Sequence, residues 1–252
     1  MALLTTEALV HRGFNLGETS KVVVLLTRER GKVRAVARGA RGGRPRYQSA
    51  LEPLSEVRVT LYGRQGADLL RLGQAELLHS AFRAGTRSLD AALFLSGCAE
   101  LLDAFSSEGE AEDKVYRLAL AVVQAAEKGA LPELLGRYLE AWLLKLHGLY
   151  PPLNRCAACG GPLPAEGALS YHRGARGFTC GDCGPASGPD LPVAARRMLA
   201  DFFRRPPDAL GAEAGVSARA LESFHRDLIC AHLERDLRAP RVLREIAREI
   251  AR

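Results

Sequence analysis

Two pairs of cysteines place the strongest constraint on how this chain can fold. Cys156 and Cys159 form the first C-x-x-C, Cys180 and Cys183 form the second, and 20 residues separate the pairs. Each pair can aim two sulfur atoms at one point, and a hairpin between them can complete a tetrahedron. The spacing is at the edge of that expected for a four-thiolate zinc site. It predicts one structural zinc ion per chain, in a module at about residues 154–189.

Other roles for these cysteines fit the sequence less well. Two disulfides are not expected in a cytosolic chain of 252 residues, which can bury a core without them. A redox C-x-x-C would call for a βαβ context, which is lacking here. A further alternative to a zinc site is that the two cysteine turns no longer bind a metal ion. Four thiolates leave no open coordination position, so a bound metal would be structural and not catalytic.

The hydrophobic pattern of the first 80 residues has the period of β-strands. Five segments are predicted as strands, at residues 6–11, 21–27, 31–38, 56–62 and 69–78, and glycine-rich turns separate them. The aliphatic run of the second segment is of the kind that is buried on both faces. Five short strands in about 80 residues favour a small barrel, of which the OB-fold is the leading candidate.

From about residue 86 the pattern becomes helical. Apolar stripes predict helices ending near residue 105 and over residues 112–128, 131–147, 192–204, 218–237 and 241–251. The sequence therefore predicts an α+β multidomain protein. An N-terminal OB-fold β-barrel at 1–80 would bind nucleic acid. A C-terminal helical domain at 81–252 would carry the inserted four-cysteine zinc knuckle.

The positive charge of the chain is concentrated in its first third. The net charge is +6, and residues 1–80 contain 13 basic and 7 acidic residues, while the remainder contains 22 of each. Such asymmetry indicates a polyanionic partner, either nucleic acid or an anionic membrane surface. The alternative is a solvated basic face that keeps the protein soluble.

Strand alternation groups the basic residues into candidate contacts with nucleic acid. Lys32, Arg34 and Arg38 share one face of a predicted strand, and Arg58 and Tyr62 share a face of another. The loop between these strands is cationic and rich in glycine. The candidate contacts are therefore Lys32, Arg34, Arg38, Arg41, Arg44, Arg46, Arg58 and Tyr62.

Aromatic residues are scarce in this region. Residues 1–80 contain only Phe14, Tyr47 and Tyr62, so phosphate contacts should dominate, with little sequence preference and strong salt dependence. The sequence leaves open whether Phe14 and Tyr62 belong to the binding face or to the barrel core.

Motifs of several enzyme and membrane classes are missing. The chain has no G-x-x-x-x-G-K-[ST], no G-x-G-x-x-G after a strand and no G-x-S-x-G. Its longest aliphatic runs are a handful of residues, whereas a membrane span needs about 20. The first residues do not resemble a signal peptide. We therefore expect a cytoplasmic binding protein that is not an enzyme and does not span a membrane.

Several short motifs resemble those of a known protein family. They are residues 17–20 (GETS), 22–26 (VVVLL), 27–31 (TRERG), 37–41 (ARGAR) and 51–54 (LEPL). Their order, with the barrel, the helical body and the embedded cysteines, resembles the bacterial RecO family of recombination mediators and DNA repair proteins. The arginine-rich composition and zinc knuckles are similar to those of the Deinococcus member. The resemblance covers essentially the whole chain.

This resemblance implies a non-catalytic DNA repair and recombination mediator. Such proteins bind single- and double-stranded DNA and anneal complementary strands. They work with RecR and RecF to load RecA onto DNA coated by single-strand binding protein, so all four proteins are implied partners. Some members lack the four cysteines, which supports a structural role for the metal. Two alternatives remain: an RNA-binding OB protein with a zinc ribbon, and a protein-interaction scaffold with a basic face.

Overall fold

The computed structural model describes residues 2–41, 47–64, 66–184, 187–211 and 215–238. The chain divides into two compact units. The first, unit 1, comprises residues 1–129 and the residues from 237 onward, and the second, unit 2, comprises residues 130–236. The predicted helix at 241–251 and the candidate contacts Arg44 and Arg46 lie outside the described residues.

Unit 1 contains a closed five-stranded barrel, which confirms the OB-like fold. Its strands are β1 (Ala2–Leu16), β2 (Ser20–Thr27), β3 (Gly31–Ala37), β4 (Glu56–Gly63) and β5 (Leu70–His79), in the order β1-β2-β3-β5-β4. Neighbouring strands are antiparallel except β3 and β5, which are parallel. β1 is longer than its pattern predicts because its first half pairs with β4 and its second half with β2.

The barrel interior is filled by alternate residues of each strand. The core contains small and branched side chains, among them Ala8, Val10, Val23, Leu25, Ala35, Val57, Val59, Leu61 and Leu72. On β2 the outward-facing Val24 and Leu26 are also buried, as the uninterrupted aliphatic run predicts.

Three helices of unit 1 pack outside the barrel. They are α1 (Phe82–Gly85), α2 (Leu89–Phe105) and α3 (Asp113–Glu127), and α2 and α3 contact β1. Leu9 of β1 does not belong to the barrel core, yet its side chain is fully buried, so β1 is also covered on its outer face. Unit 1 thus contains three helices beyond the predicted boundary at residue 80. The independent folding of residues 1–80 stays a prediction.

Unit 2 holds the remaining described elements. They are α4 (Pro132–Leu146), β6 (Leu169–His172), β7 (Gly177–Thr179), β8 (Asp190–Leu191), α5 (Val193–Phe202) and α6 (Gly215–Leu233). The strands β7-β6-β8 form a small sheet between α4 and α5 in the chain, where the zinc module is predicted. Phe224 of α6 packs against Tyr171 and Phe178 of this sheet, with ring centroids 5.2 Å away in both cases. None of the described helices is long and apolar enough to cross a membrane.

A bulge in β1 buries a histidine in unit 1. The register of β1 against β2 shifts between Val10 and Arg12, and the residue at the shift is His11. Its side chain is fully buried, and its Nδ1 lies 4.0 Å from Oδ1 of Asp103, too far for a hydrogen bond. Burial lowers the pKa of His11 below its ordinary value, although Asp103 opposes this effect. The folded protein therefore holds the ring in its neutral form.

Replacing His11 by glutamine should make unit 1 less sensitive to acid. The unfolded chain protonates His11 with a pKa of about 6.5, whereas the folded state resists protonation. The free energy of unfolding therefore falls as the pH drops below that value. Hydrogen exchange of the β1 and β2 amides at pH 7 and pH 5 measures the effect. His232→Gln, at an exposed position on α6, is the control. Equal acid sensitivity in His11→Gln and the parent chain would contradict this account.

Candidate metal centre and nucleic-acid interface

The four cysteines of the predicted zinc site come together in unit 2. The Sγ atoms of Cys156, Cys159, Cys180 and Cys183 all lie within 4.8 Å of one another, and those of Cys159 and Cys180 are 3.8 Å apart. Four thiolates at about 2.3 Å from a tetrahedral zinc ion would be separated by about 3.8 Å. None of the four is in a disulfide. The cluster therefore has the dimensions of a site in which four thiolates bind one metal ion.

Local backbone structure positions the sulfur atoms. The first pair lies in a tight turn in which the Gly160 N–H donates to the Cys156 carbonyl at 2.9 Å and the Cys156 N–H donates to the Gly161 carbonyl at 2.8 Å. Gly160 has a φ of +73°, which favours glycine. The Ala157 N–H donates to the Phe178 carbonyl at 2.8 Å and so ties this turn to β7. Cys180 directly follows β7, so the hairpin of β6 and β7 returns the second pair to the first.

The thiols of Cys156 and Cys183 have pKa values shifted in opposite directions. Backbone N–H groups, first that of Cys159 and then that of Cys180, lower the pKa of the Cys156 thiol to about 6. Hydrogen bonds with the sulfur atoms of Cys180 and Cys159 raise the pKa of Cys183. Close thiolates repel one another, so full ionisation of the cluster requires a cation. His172, a potential metal ligand by residue type that lies between the two cysteine pairs in the sequence, is not part of the cluster; its Nδ1 accepts a hydrogen bond from the Ala175 N–H at 3.1 Å.

At one end of the barrel, the predicted nucleic-acid contacts are neutralised by acidic residues. We call residues 106–112, which join α2 to α3, the acidic linker. Arg34 Nη2 lies 2.8 Å from Glu108 Oε1 in this linker. Lys32 Nζ donates to the Asp103 carbonyl at 2.8 Å and lies 3.8 Å from its carboxylate, and the Lys32 side chain is only 15% exposed. Arg58 lies 3.1 Å from Glu76.

The backbone holds the acidic linker against the turn between β2 and β3. The Lys32 N–H donates to the Ser107 carbonyl at 2.9 Å. Gly31 has a φ of +57°, and the carbonyl oxygens of Ser107 and Glu110 occupy the space that a Cβ atom would need. Beyond the linker, Arg28 lies 2.7 Å from Asp113 at the start of α3. This end of the barrel therefore presents little unpaired positive charge.

The opposite end of the barrel keeps its positive charge. We call it the open end; it contains the turn between β1 and β2 and the end of β3. Arg38 and Arg71 are exposed there and form no ion pair within the part of the chain that the structure describes. Arg41 donates to the Gly17 carbonyl at 3.0 Å, which leaves its charge unneutralised. Tyr62 is half-buried and its ring lies over Gly73, outside the barrel core.

Comparison with known proteins identifies the family. A family model described as Recombination protein O N terminal matches residues 1–81, and one described as Recombination protein O C terminal matches residues 86–241. The chain belongs to the RecO family. The protein called DNA repair protein RecO in Anaeromyxobacter sp. (strain Fw109-5) is 34% identical over 249 residues, covering 96% of each chain. The protein of that name in Rubrobacter xylanophilus is 34% identical over 246 residues, covering 92% of each chain.

Membership of the RecO family confirms the resemblance and supports a role in DNA repair and recombination. Sequence analysis missed two features of this RecO chain. Arg71 was not among the predicted contacts, although its position between Leu70 and Leu72 on β5 places it outward by strand alternation. The partners of Lys32 and Arg34 were also missed, and the acidic composition of residues 106–112 (SSEGEAE) was the available signal.

Proposed function

We propose that the protein is a non-catalytic mediator of DNA repair and recombination that binds single- and double-stranded DNA and anneals complementary strands. The observation that carries this proposal is the set of unneutralised cations at the open end of the barrel, Arg38, Arg41 and Arg71. Family membership supports the choice of DNA as the polyanion. Predicted contacts whose charge is already paired with a carboxylate, such as Arg34 and Arg58, would contribute less to DNA binding.

Annealing follows from the charge of this surface. Two single strands repel each other through their phosphates, and a cationic surface that contacts both lowers this repulsion and raises their local concentration. Base pairing then supplies the free energy. No nucleotide cofactor and no catalytic residue are needed.

We also propose one structural zinc ion per chain, bound by Cys156, Cys159, Cys180 and Cys183. The separations of the sulfur atoms and the absence of an open position in a four-thiolate shell support this role. The ion would link the first cysteine turn to the end of β7 and so stabilise unit 2.

Protein partners are proposed from the family alone. RecR and single-strand binding protein are the proposed direct partners, with RecF and RecA acting in the same process. The protein would help to load RecA onto DNA coated by single-strand binding protein. A nucleoid-associated location would follow from DNA binding.

A strand-annealing assay without ATP tests the proposed function. The protein should accelerate the pairing of two complementary DNA oligonucleotides, and the effect should weaken as salt is raised. No acceleration would contradict the proposal. Preferential binding of RNA in a competition assay would instead favour an RNA-binding protein.

Replacing Arg38 should weaken DNA binding more than replacing Arg34. Each lost contact with a single-stranded phosphate lowers the slope of log affinity against log salt by about 0.7. We expect this change for Arg38→Ala. Arg34→Ala should change the slope much less, because Glu108 already neutralises Arg34. Fluorescence anisotropy of a labelled oligonucleotide at several salt concentrations measures both slopes.

Glu108→Gln is the matched charge variant for this comparison. It removes the partner of Arg34 without changing the arginine, so single-strand affinity should rise and a later Arg34→Ala should become costly. Equal losses for Arg34→Ala and Arg38→Ala in the parent chain would show that the ion pair does not limit the contribution of Arg34.

A further inference from the structure

An apolar shelf lies on the outer face of the barrel at the open end. Phe14 and Leu16 of β1 are 47% and 46% exposed. Phe14 pairs with Val22 of β2, and Val22 pairs with Val36 of β3, so these side chains lie side by side at strand spacings of about 4.8 Å. Val22 and Val36 are half-buried. A cluster of exposed apolar side chains on one face is typical of a binding surface.

The ring of Phe14 is held in place from one side. The Arg12 guanidinium lies 4.8 Å from the ring centroid of Phe14, and its Nη2 lies 2.8 Å from Oδ2 of Asp103. Asp103 therefore anchors the arginine that packs on the ring. About half of the Phe14 surface remains open to solvent, so the ring is supported by a rigid strand and accessible to a ligand.

Unneutralised cations border this shelf. Arg38 is exposed directly after the end of β3, two residues beyond Val36, and Arg71 is the partner of Val36 on β5. A ligand that fits must offer flat apolar faces together with closely spaced negative charges. Single-stranded DNA has both, since its bases are exposed and its phosphates are regularly spaced.

We propose that a base of single-stranded DNA stacks on Phe14, over the shelf formed with Leu16, Val22 and Val36, while Arg38 and Arg71 bind the neighbouring phosphates. This proposal rests on the proposed DNA binding and adds a basis for distinguishing single strands from duplexes. Bases in a duplex stack on each other and are not available to Phe14. The two arginines can bind phosphates in either form.

The shelf would also assist annealing. A single strand is held by both base and phosphate contacts, and pairing with its complement removes the base contact. The duplex product is then bound by phosphate contacts alone and leaves more readily. Phe14 thus favours release of the product without any change in the protein.

Phe14→Ala in the full chain tests the proposal with two probes, an oligo(dT) single strand and a duplex of the same length. Stacking of one base corresponds to about a 5- to 150-fold change in affinity. We expect a loss in that range for oligo(dT) and almost no change for the duplex. Phe14→Tyr should restore binding, whereas Phe14→Leu, which keeps apolar bulk but lacks an aromatic ring, should not.

Phe82→Ala is the matched control, because Phe82 is a 66% exposed phenylalanine of α1 in the same unit. It should leave both affinities unchanged. Phe14→Trp adds a direct probe, since stacking of a base should quench the added tryptophan emission with oligo(dT) and not with the duplex. Thermal unfolding of each variant shows whether its fold is retained.

The outcomes separate this proposal from the proposed function. If the parent chain binds neither probe, the proposed DNA binding fails. If it binds both and Phe14→Ala binds them equally well, only the base contact is overturned. If Phe14→Ala retains DNA binding but loses binding to RecR or single-strand binding protein, the shelf is a protein-docking surface and the proposal is also overturned.

Discussion

Replacing Cys156 or Cys180 by serine should release one zinc ion per chain and strongly destabilise unit 2. Binding of structural zinc contributes about 10–16 kcal/mol in small zinc-finger peptides. We expect the free energy of unfolding of unit 2 to fall by at least about 4 kcal/mol, the effect of losing a ligand present at about 1,000 times its Kd. The damage should spread beyond the knuckle because Phe224 of α6 packs on Tyr171 and Phe178 of the small sheet.

Metal content and denaturant unfolding measure this effect on the same samples. Trp142, the only tryptophan of the chain, lies in α4 of unit 2, with its ring centroid 5.2 Å from that of Phe203, so its fluorescence reports on this unit. Hydrogen exchange of the barrel amides should be unchanged in the variants. Cys230→Ser is the matched control, since it makes the same chemical change on α6 outside the cluster. A parent chain purified without chelators that contains well under one zinc ion would contradict the prediction.

Replacing Glu140 by alanine should have the second largest effect. Glu140 lies on α4, with Oε1 2.6 Å from Arg137 Nη2 and Oε2 3.1 Å from Nδ1 of His225 on α6. The Tyr150 hydroxyl lies 3.1 Å from Nε2 of the same histidine. Removing one partner of a buried ion pair costs about 3–5 kcal/mol because the other charge is left buried. The side chains of Arg137 and His225 are 11% and 0% exposed, but Arg137 keeps a second carboxylate, that of Glu222, at 3.6 Å, so we expect a loss near the lower end of this range.

The protonation states in this network follow from burial. Burial lowers the pKa of His225, although Glu140 opposes this effect, and burial raises the pKa of Tyr150 well above its ordinary value. The neutral histidine therefore donates its Nδ1–H to Glu140 and accepts a hydrogen bond from the Tyr150 hydroxyl. Removing Glu140 leaves the histidine donor and the Arg137 guanidinium without this acceptor.

Urea unfolding followed by Trp142 fluorescence tests the role of Glu140. Glu133→Ala, at an exposed position in the first turn of the same helix, is the matched control and should cost no more than about 1 kcal/mol. Glu140→Gln keeps a hydrogen-bond acceptor and should fall between the two. If Glu140→Ala costs no more than Glu133→Ala, the network does not stabilise unit 2.

Features that depend only on residues close together in the sequence were predictable from it. The alternation of apolar residues predicts the five barrel strands, because strand geometry sends successive side chains to opposite faces. Both C-x-x-C pairs and their spacing predict the cysteine cluster, because each pair needs only a tight turn and the hairpin between them is short. Pro132 and Gly148 bound α4 for equally local reasons.

Only the tertiary structure decides which charged side chains are left without an ion-pair partner and can bind a ligand. Arg34 and Arg38 have the same residue type and share one face of the predicted strand, yet β3 ends at Ala37, and Arg34 is paired with Glu108, which is 74 residues away. The same holds for Glu140 and His225, 85 residues apart, whose hydrogen bond exists only because α4 packs against α6. Alternation alone leaves Phe14 equally suited to the barrel core and to its outer surface, and the register shift at His11 places it outside. Residue type and spacing thus determined the elements and the cysteine cluster. Contacts between distant segments determined the charged and apolar surface, because a side chain is neutralised or covered by whatever the fold brings beside it.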